Sequence, residues 1–404
     1  MNWTSDHSIQ YLKSNPMNKK VKIAYCIPSL YYPSGMERVL TLKANYFAEH
    51  LGYDIHIILT DGKGKEPYYK LYPSITTHQL DINYDELYGL SLPKRIHRYW
   101  SKQKLFKKRL ETCLNEIEPD ITISLLRRDI NFINKMKDKS IKLGEIHFNK
   151  SNYREFSDNC LPGIIQRAVK QYWMWQLIRQ VRQLKSFVVL SHEDAAEWTE
   201  LNNVTVIYNP LPFLPEQQSD NTPKQVIAVG RYVPQKGFDR LISAWSIVNK
   251  KHPDWILRIY GDGMRKQLQE QIDELGISST CILEHSIPNI VDKYCESSIF
   301  VLSSRYEGFG MVIIEAMACG VPPVSFTCPC GPRDIISDGV TGLLVENGHI
   351  EGLAEKICYL IENEDVRKEM GQKARMDIER FRIEPIAEQW KTLFESLIIK
   401  NKDS

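Results

Sequence analysis

Residues 299–326 read IFVLSSRYEGFGMVIIEAMACGVPPVSF. The stretch opens with an apolar strand, Ile299–Ser303, and turns through a loop with a glycine on each side of Phe309. It continues as an apolar helical segment, Met311–Cys319, and returns to a second strand at Pro323–Phe326. Strands covered on both faces read as such apolar runs, and a strand–helix–strand unit joins parallel strands. One charge interrupts the helix. Glu315 sits inside MVIIEAMA, where a carboxylate is costly unless it meets a partner.

The same alternation extends in both directions. Downstream lies a strand at Gly342–Val345, with helices at Ile350–Glu362, Asp365–Arg380 and Glu384–Ile399. Upstream, strands at Gln225–Gly230, Trp255–Gly261 and Cys281–Glu284 alternate with helices at Phe238–Lys250, Met264–Leu275 and Ile290–Glu296. Residues 209–223, NPLPFLPEQQSDNTP, have the Pro-rich polar composition of a linker. Before them a second series alternates in the same way. Its strands are Val21–Ile27, Asp54–Thr60, Ile75–Leu80, Asp120–Leu125, Lys142–His147, Ser186–Ser191 and Val204–Tyr208. Its helices are Met36–Leu51, Pro93–Ile117, Gly163–Leu184 and His192–Leu201. The expectation is an α/β protein of two doubly wound, Rossmann-like domains facing a cleft. The boundaries read as a flexible tail at 1–16, an N-terminal domain at 17–208 and the linker at 209–223. A C-terminal domain at 224–382 and a terminal helix and tail at 383–404 complete the chain.

Composition narrows the function classes. Of 404 residues, 52 are Lys or Arg and 50 are Asp or Glu, a net charge of +2. A dedicated nucleic-acid binder would carry a larger basic excess. No apolar run reaches membrane-spanning length, and the first twenty residues hold no secretory apolar stretch. Nine scattered Cys suit reduced thiols in a cytoplasmic protein. Cys328-Pro-Cys330, with Cys319 upstream, lacks the Cys-x-x-Cys spacing of a zinc site.

Ligands of such sheets sit beyond the carboxyl ends of the strands, so the candidate residues are those of the strand-to-helix loops. Gly230-Arg231-Tyr232-Val233-Pro234-Gln235-Lys236-Gly237 places two cations five residues apart. Arg231 offers a planar fork for phosphate oxygens and Lys236 a movable point charge, a pair able to grip a diphosphate. Alone, the segment reads equally as a basic surface loop. In the loop before Met311, Gly308, Phe309 and Gly310 offer backbone N–H groups at a helix N-terminus, which favours an anion. Glu307 lies in that loop and Glu315 inside the helix. A ribose diol would suit Glu315, because a carboxylate can accept from both hydroxyls. Gly261-Asp-Gly263 lacks the third glycine of a dinucleotide fingerprint, and Arg265 beside it reads as a surface residue.

The Glu307–seven residues–Glu315 spacing, the Gly230–Gly237 loop, and the Gly331-Pro-Arg-Asp-Ile-Ile336 turn with Asp338-Gly339 and Gly342–Val345 resemble the family-four retaining glycosyltransferases, which have the GT-B fold. The N-terminal half is similar more sparsely. Pro33-Ser34-Gly35-Met36-Glu37-Arg38-Val39 matches the family's Gly-Gly-x-Glu-Arg turn with Ser34 for the first glycine, and Glu145–Asn149 and Val206–Pro210 have counterparts. The resemblance implies a retaining hexosyltransferase using a nucleotide-diphosphate sugar, with UDP the expected nucleotide, and a C-terminal helix crossing back to the N-terminal domain. It implies that Arg231 and Lys236 neutralise the diphosphate, Glu315 holds the ribose, and Glu307 and the amides of 308–310 hold the transferred sugar. Gly35 would let the backbone approach the phosphates, and His147 would meet the sugar near the reacting carbon. No metal or other cofactor is implied, in keeping with the absence of any Asp-x-Asp. Other readings are a nucleotide-sugar epimerase of the same fold, which the Glu–Glu spacing disfavours, and a non-catalytic sugar-nucleotide sensor, which the intact charged set disfavours.

Two stretches without acids stand out. Lys94–Arg109 carries eight Lys or Arg with Tyr99, Trp100 and Phe106; Ile164–Lys185 carries five with Tyr172, Trp173 and Trp175. Basic helices with aromatic residues suit an anionic membrane interface; they also read as solvated faces with aromatic core packing. In the resembled family the acceptor binds the N-terminal domain. The expected partners are therefore a nucleotide sugar, a saccharide or lipid-linked acceptor in bacterial surface-polysaccharide assembly, and a peripheral anionic membrane contact, with no nucleic acid. The expected place is the cytoplasm, on the inner face of the membrane.

Overall fold

The computed structural model describes residues 20–153 and 163–402; the expected tail at 1–16 lies outside them. Two parallel sheets form. The first has strands β1 Lys22–Ile27, β2 Asp54–Leu59, β3 Thr76–Gln79, β4 Ile121–Ser124, β5 Ile141–Glu145, β6 Ser186–Val189 and β7 Val204–Val206, in the order β3-β2-β1-β4-β5-β6-β7. The second has β8 Gln225–Val229, β9 Ile256–Tyr260, β10 Cys281–Glu284, β11 Ile299–Leu302, β12 Pro323–Phe326 and β13 Leu343–Val345, in the order β10-β9-β8-β11-β12-β13. Strand order reverses between β1 and β4, where Ile23 faces Ile121, and between β8 and β11, where Phe300 faces Ile227. Both points open a crevice at the strands' carboxyl ends. The central strands β4 and β11 are buried at every residue, which is why they read as continuous apolar runs.

Each sheet is covered on both faces. In the N-terminal half, Phe106, Leu110 and Leu114 of helix Leu92–Ile117 share a core with Leu177 and Val181 of helix Gly163–Val181. The opposite core holds Leu40, Ala44 and Phe47 of helix Gly35–Glu49. Into it the terminal helix Ile383–Lys402 inserts Trp390 and Phe394, whose ring meets Phe47 edge-on at 5.9 Å. The chain thus returns to its first half to complete that core. Residues 209–223 are pinned to the second half: Leu211 N–H donates to the Phe381 carbonyl, and the Asn221 amide donates to the Gly320 carbonyl.

The two basic helices lie on one face of the first sheet, joined through Gln103, Asn131 and Gln176. Lys94, Arg95, Arg98, Lys104, Lys107 and Lys108 are exposed, as are Trp100 and, on the second helix, Arg167, Lys170, Tyr172, Trp175 and Arg179, with Arg182 just beyond its end. Trp173 packs against the core. Lys102 differs from its basic neighbours: its ammonium turns inward to the Ile82 carbonyl and to Glu86, 2.9 Å away. Arg109 likewise donates to the Leu80 and Asp81 carbonyls. No helix among the described residues is long and apolar enough to cross a membrane.

Candidate active site

The loop after β8 and the loop after β11 meet side by side. Lys236 reaches across so that its ammonium lies 2.7 Å from Glu307 Oε1, and the Ser304 hydroxyl donates to the same oxygen at 2.6 Å. Both partners are largely buried. A buried carboxylate needs such donors, because desolvation otherwise outweighs its charge. Arg231 differs. Its side chain is exposed and makes no hydrogen bond or ion pair among the described residues, so a cation stands uncommitted at the mouth of the loop.

The helix Met311–Ala318 starts at Gly310 and is buried over most of its length. Phe309 sets its entry angle by packing between Tyr208 and Phe381, with ring centroids 5.8 Å from each. Gly308 lies where the two halves touch: a side-chain carbon there would come within 2.6 Å of the His147 carbonyl oxygen. Gly331 has φ +115° and lies against the Phe309 carbonyl, 1.7 Å from where its own side chain would begin. Only glycine fits there.

Glu315 is 5% exposed and has found a partner. Arg38, from the first turn of helix Gly35–Glu49, donates to Oε1 at 2.9 Å, and the Tyr294 hydroxyl lies 3.3 Å from Oε2. Burial pushes the Glu315 carboxyl up, opposed chiefly by the Arg38 guanidinium. Gly35 opens the same helix, and the space where its side chain would stand is empty to 4 Å.

His147 lies just beyond β5. Its Nε2 is 3.1 Å from Glu145 Oε1, and that carboxylate also pairs with Lys43. Lys43 and Glu145 are each 1% exposed, and Trp390 of the terminal helix lies 4.4 Å beneath the ammonium. Burial alone would raise the Glu145 carboxyl, but Lys43 and His147 outweigh it and hold it at about 2. The imidazole therefore stands beside an ionised carboxylate, 3.1 Å away but without hydrogen-bond geometry.

A second seam closes the halves. Asp334 accepts from the backbone N–H groups of His192 and Glu193 at 2.7 and 3.3 Å, capping helix His192–Glu197, and Arg333 pairs with Glu193 at 2.7 Å. Arg265 folds away, donating to the Leu283 carbonyl at 2.6 Å.

The fold thus brings Lys236, Glu307, Gly308, Phe309, Gly310 and Glu315 together at the carboxyl ends of β8 and β11, and draws Arg38 and the His147 backbone to them from the other half. The sequence by itself assigns no role to Arg38, Tyr294, Lys43 or Asp334. Arg38 and Asp334 stand in the two family-like turns, and Glu145 two residues before His147 at a strand end; Tyr294 and Lys43 carry no such signal.

Comparison with known proteins agrees with this architecture. Residues 213–377 match the family described as glycosyl transferases group 1. The chain is similar to an uncharacterized glycosyltransferase of Haemophilus influenzae, 27% identical over 92% of this chain and 99% of that protein. It is also similar to a poly(ribitol-phosphate) alpha-N-acetylglucosaminyltransferase of Staphylococcus aureus, 28% identical over 73% of this chain and 60% of the relative. A crystal structure of a mutant S. aureus TarM with fondaparinux, alpha-GlcNAc-glycerol and UDP superposes with a TM-score of 0.72 at 18% identity, covering 93% of this chain and 99% of that one. The chain is a glycosyltransferase of GT-B architecture, and its residues 213–377 belong to group 1 of the glycosyl transferases.

Proposed function

We propose that this protein transfers a hexose, with retention of configuration, from a UDP-linked sugar to a saccharide or lipid-linked acceptor during assembly of a bacterial surface polysaccharide. The observation that carries this is the meeting of Lys236, Glu307 and Glu315 at the strand-order reversal of the second sheet, opposite Gly35 and His147 of the first. The UDP in the TarM mutant structure supports the nucleotide, and the poly(ribitol-phosphate) alpha-N-acetylglucosaminyltransferase among the relatives supports a polymeric acceptor.

In this reading the C-terminal domain holds the donor and the N-terminal domain the acceptor. Lys236 and the uncommitted Arg231 neutralise the diphosphate as it departs. Preorganised cations stabilise the developing charge without waiting for solvent to reorganise. Glu315 accepts from the ribose diol. Glu307 and the amides of 308–310 hold hydroxyls of the transferred sugar, and Gly35 lets the first half's backbone reach the phosphates. His147, beside Glu145, meets the sugar next to the reacting carbon. The acceptor hydroxyl attacks from the leaving-group side and gives its proton to the departing phosphate, so no hydrolase-like pair of carboxylates is required. Two cations take the place of a metal, so EDTA should leave transfer largely intact. The basic helices 92–117 and 163–181 rest on the anionic inner face of the membrane, where a lipid-linked acceptor would lie.

A thermal-shift screen of nucleotide sugars tests the donor assignment. At 100 times its Kd the true donor stabilises by about 2.7 kcal/mol, and UDP-sugars should shift the protein more than GDP-, ADP- or TDP-sugars. The absence of a shift with any UDP-sugar overturns it.

A further inference from the structure

Arg38 and Glu315 are 277 residues apart in the chain and belong to different halves. Arg38 stands on the helix that follows β1, and Glu315 on the helix that follows β11. Across the crevice the guanidinium donates to Oε1 at 2.9 Å, while the other carboxylate oxygen faces the Tyr294 hydroxyl at 3.3 Å. Arg38 remains 32% exposed, with Phe213 beneath it at 5.6 Å. It is the one cation that pairs directly with Glu315 among the described residues.

An ionised carboxylate has about four lone-pair sites. Arg38 takes one on Oε1 and Tyr294 one on Oε2, which leaves one on each oxygen. A vicinal diol has two O–H donors, so the remaining pair matches it. We propose that Arg38 is a positioning residue of the nucleotide site, pairing with Glu315 across the crevice so that its two unused acceptor sites face the ribose diol. The inference rests on the reading that Glu315 receives the ribose. Its consequence is that the nucleotide site, assigned to the second half, is complete only when the first half is docked upon it.

The charge balance around Glu315 supports this. Lys236 approaches from the loop after β8, Tyr294 from helix Val291–Cys295, Tyr69 from the segment after β2, and Cys319 from the end of its own helix. Of these only Lys236 is a cation, and its ammonium is bonded to Glu307. Burial already raises the Glu315 carboxyl against the pull of Arg38; without Arg38 the carboxyl would take up a proton at still higher pH. A protonated carboxyl donates where the diol also needs to donate, so one hydroxyl would be left without an acceptor.

The test is calorimetric titration of the full-length protein with UDP between pH 6 and pH 8, comparing Arg38→Met, Arg38→Lys, Glu315→Gln and the Arg38→Met/Glu315→Gln double variant with wild type. Taking variant-to-wild-type ratios cancels the nucleotide's own titration. Arg38→Met is expected to weaken UDP binding about tenfold at pH 7, the size of a lost charge-assisted contact. The deficit should widen as pH falls, and Arg38→Lys should recover most of it. In the Glu315→Gln background, Arg38→Met should add less than about twofold, because the partner it positions is gone. Unchanged UDP affinity in Arg38→Met beside a loss in Glu315→Gln overturns this inference alone. Unchanged affinity in Glu315→Gln overturns the ribose assignment itself. A pH-independent loss in Arg38→Met that persists in the double variant identifies Arg38 as a structural tie and also overturns the proposal.

Discussion

Lys236 and Glu307 neutralise each other. The ammonium lies 2.7 Å from a carboxylate oxygen that also accepts from Ser304, and both side chains are largely withdrawn from solvent. Their proposed ligands are different parts of one donor, the diphosphate for the lysine and the sugar for the glutamate. Their bond sets phosphate and sugar subsites side by side, so a bound donor can draw the lysine onto phosphate oxygens while its sugar hydroxyls take up the carboxylate.

Arg231 and Lys236 should therefore separate when each is replaced by Ala. Both variants are expected to lower kcat by on the order of 10²-fold, as for loss of a donor to developing negative charge. Lys236→Ala should also lower thermal stability, because it leaves Glu307 buried without its cation. One-sided removal of a buried pair costs about 3–5 kcal/mol. Arg231→Ala should unfold like wild type, since its side chain is exposed. Steady-state kinetics and calorimetric unfolding read the two effects, and full activity in both variants would contradict the diphosphate assignment.

The two glutamates should separate by ligand. Glu315→Gln is expected to weaken binding of UDP itself. Glu307→Gln should bind UDP nearly as wild type does while transferring sugar more slowly, because its proposed partner is absent from UDP. Titration calorimetry with UDP, beside turnover of the full donor, distinguishes them; equal losses of UDP affinity would refute these roles.

Glycines 35 and 331 should behave in opposite ways. Gly35→Ala enters empty space in a helix, where Ala is favoured over Gly by up to about 1 kcal/mol. The variant is expected to be at least as stable as wild type and to bind UDP more weakly, because the methyl group occupies room proposed for phosphate. Gly331→Ala meets the Phe309 carbonyl from a positive φ. It should cost at least about 2 kcal/mol and lower Tm by roughly 4 °C or more. If Gly35→Ala keeps full UDP affinity, the backbone there does not approach the nucleotide.

Liposomes containing anionic lipid should sediment the protein at low salt and release it as salt rises. Each exposed cation near the surface contributes about 1 kcal/mol, within a screening length of about 8 Å at physiological salt. Arg98, Lys104, Lys107 and Lys108 are exposed together on helix Leu92–Ile117, and reversing them to Glu should abolish sedimentation without changing UDP binding. Lys102→Ala should sediment normally and lose thermal stability instead, because its ammonium ties the helix to Ile82 and Glu86. Wild type that ignores anionic vesicles at low salt would reduce both helices to solvated faces.

The sequence alone determined the parallel sheets, the two loops that carry charge, and the fact that Glu315 had to have a partner. Each is a local property. A strand buried on both faces is an apolar run wherever the rest of the chain goes, and an acid inside MVIIEAMA cannot be left unpaired in a dry interior. The identity of the partner was not legible. Arg38 stands in the Pro33–Val39 turn, but nothing in that turn names the acid it meets, and the pairing depends on how two separately wound halves dock. The same holds for Lys43 behind His147 and for Lys102 turned away from its basic neighbours. Charge is visible residue by residue, but which opposite charge it meets is decided by packing, because the cost of burying either one is settled only where both are buried together.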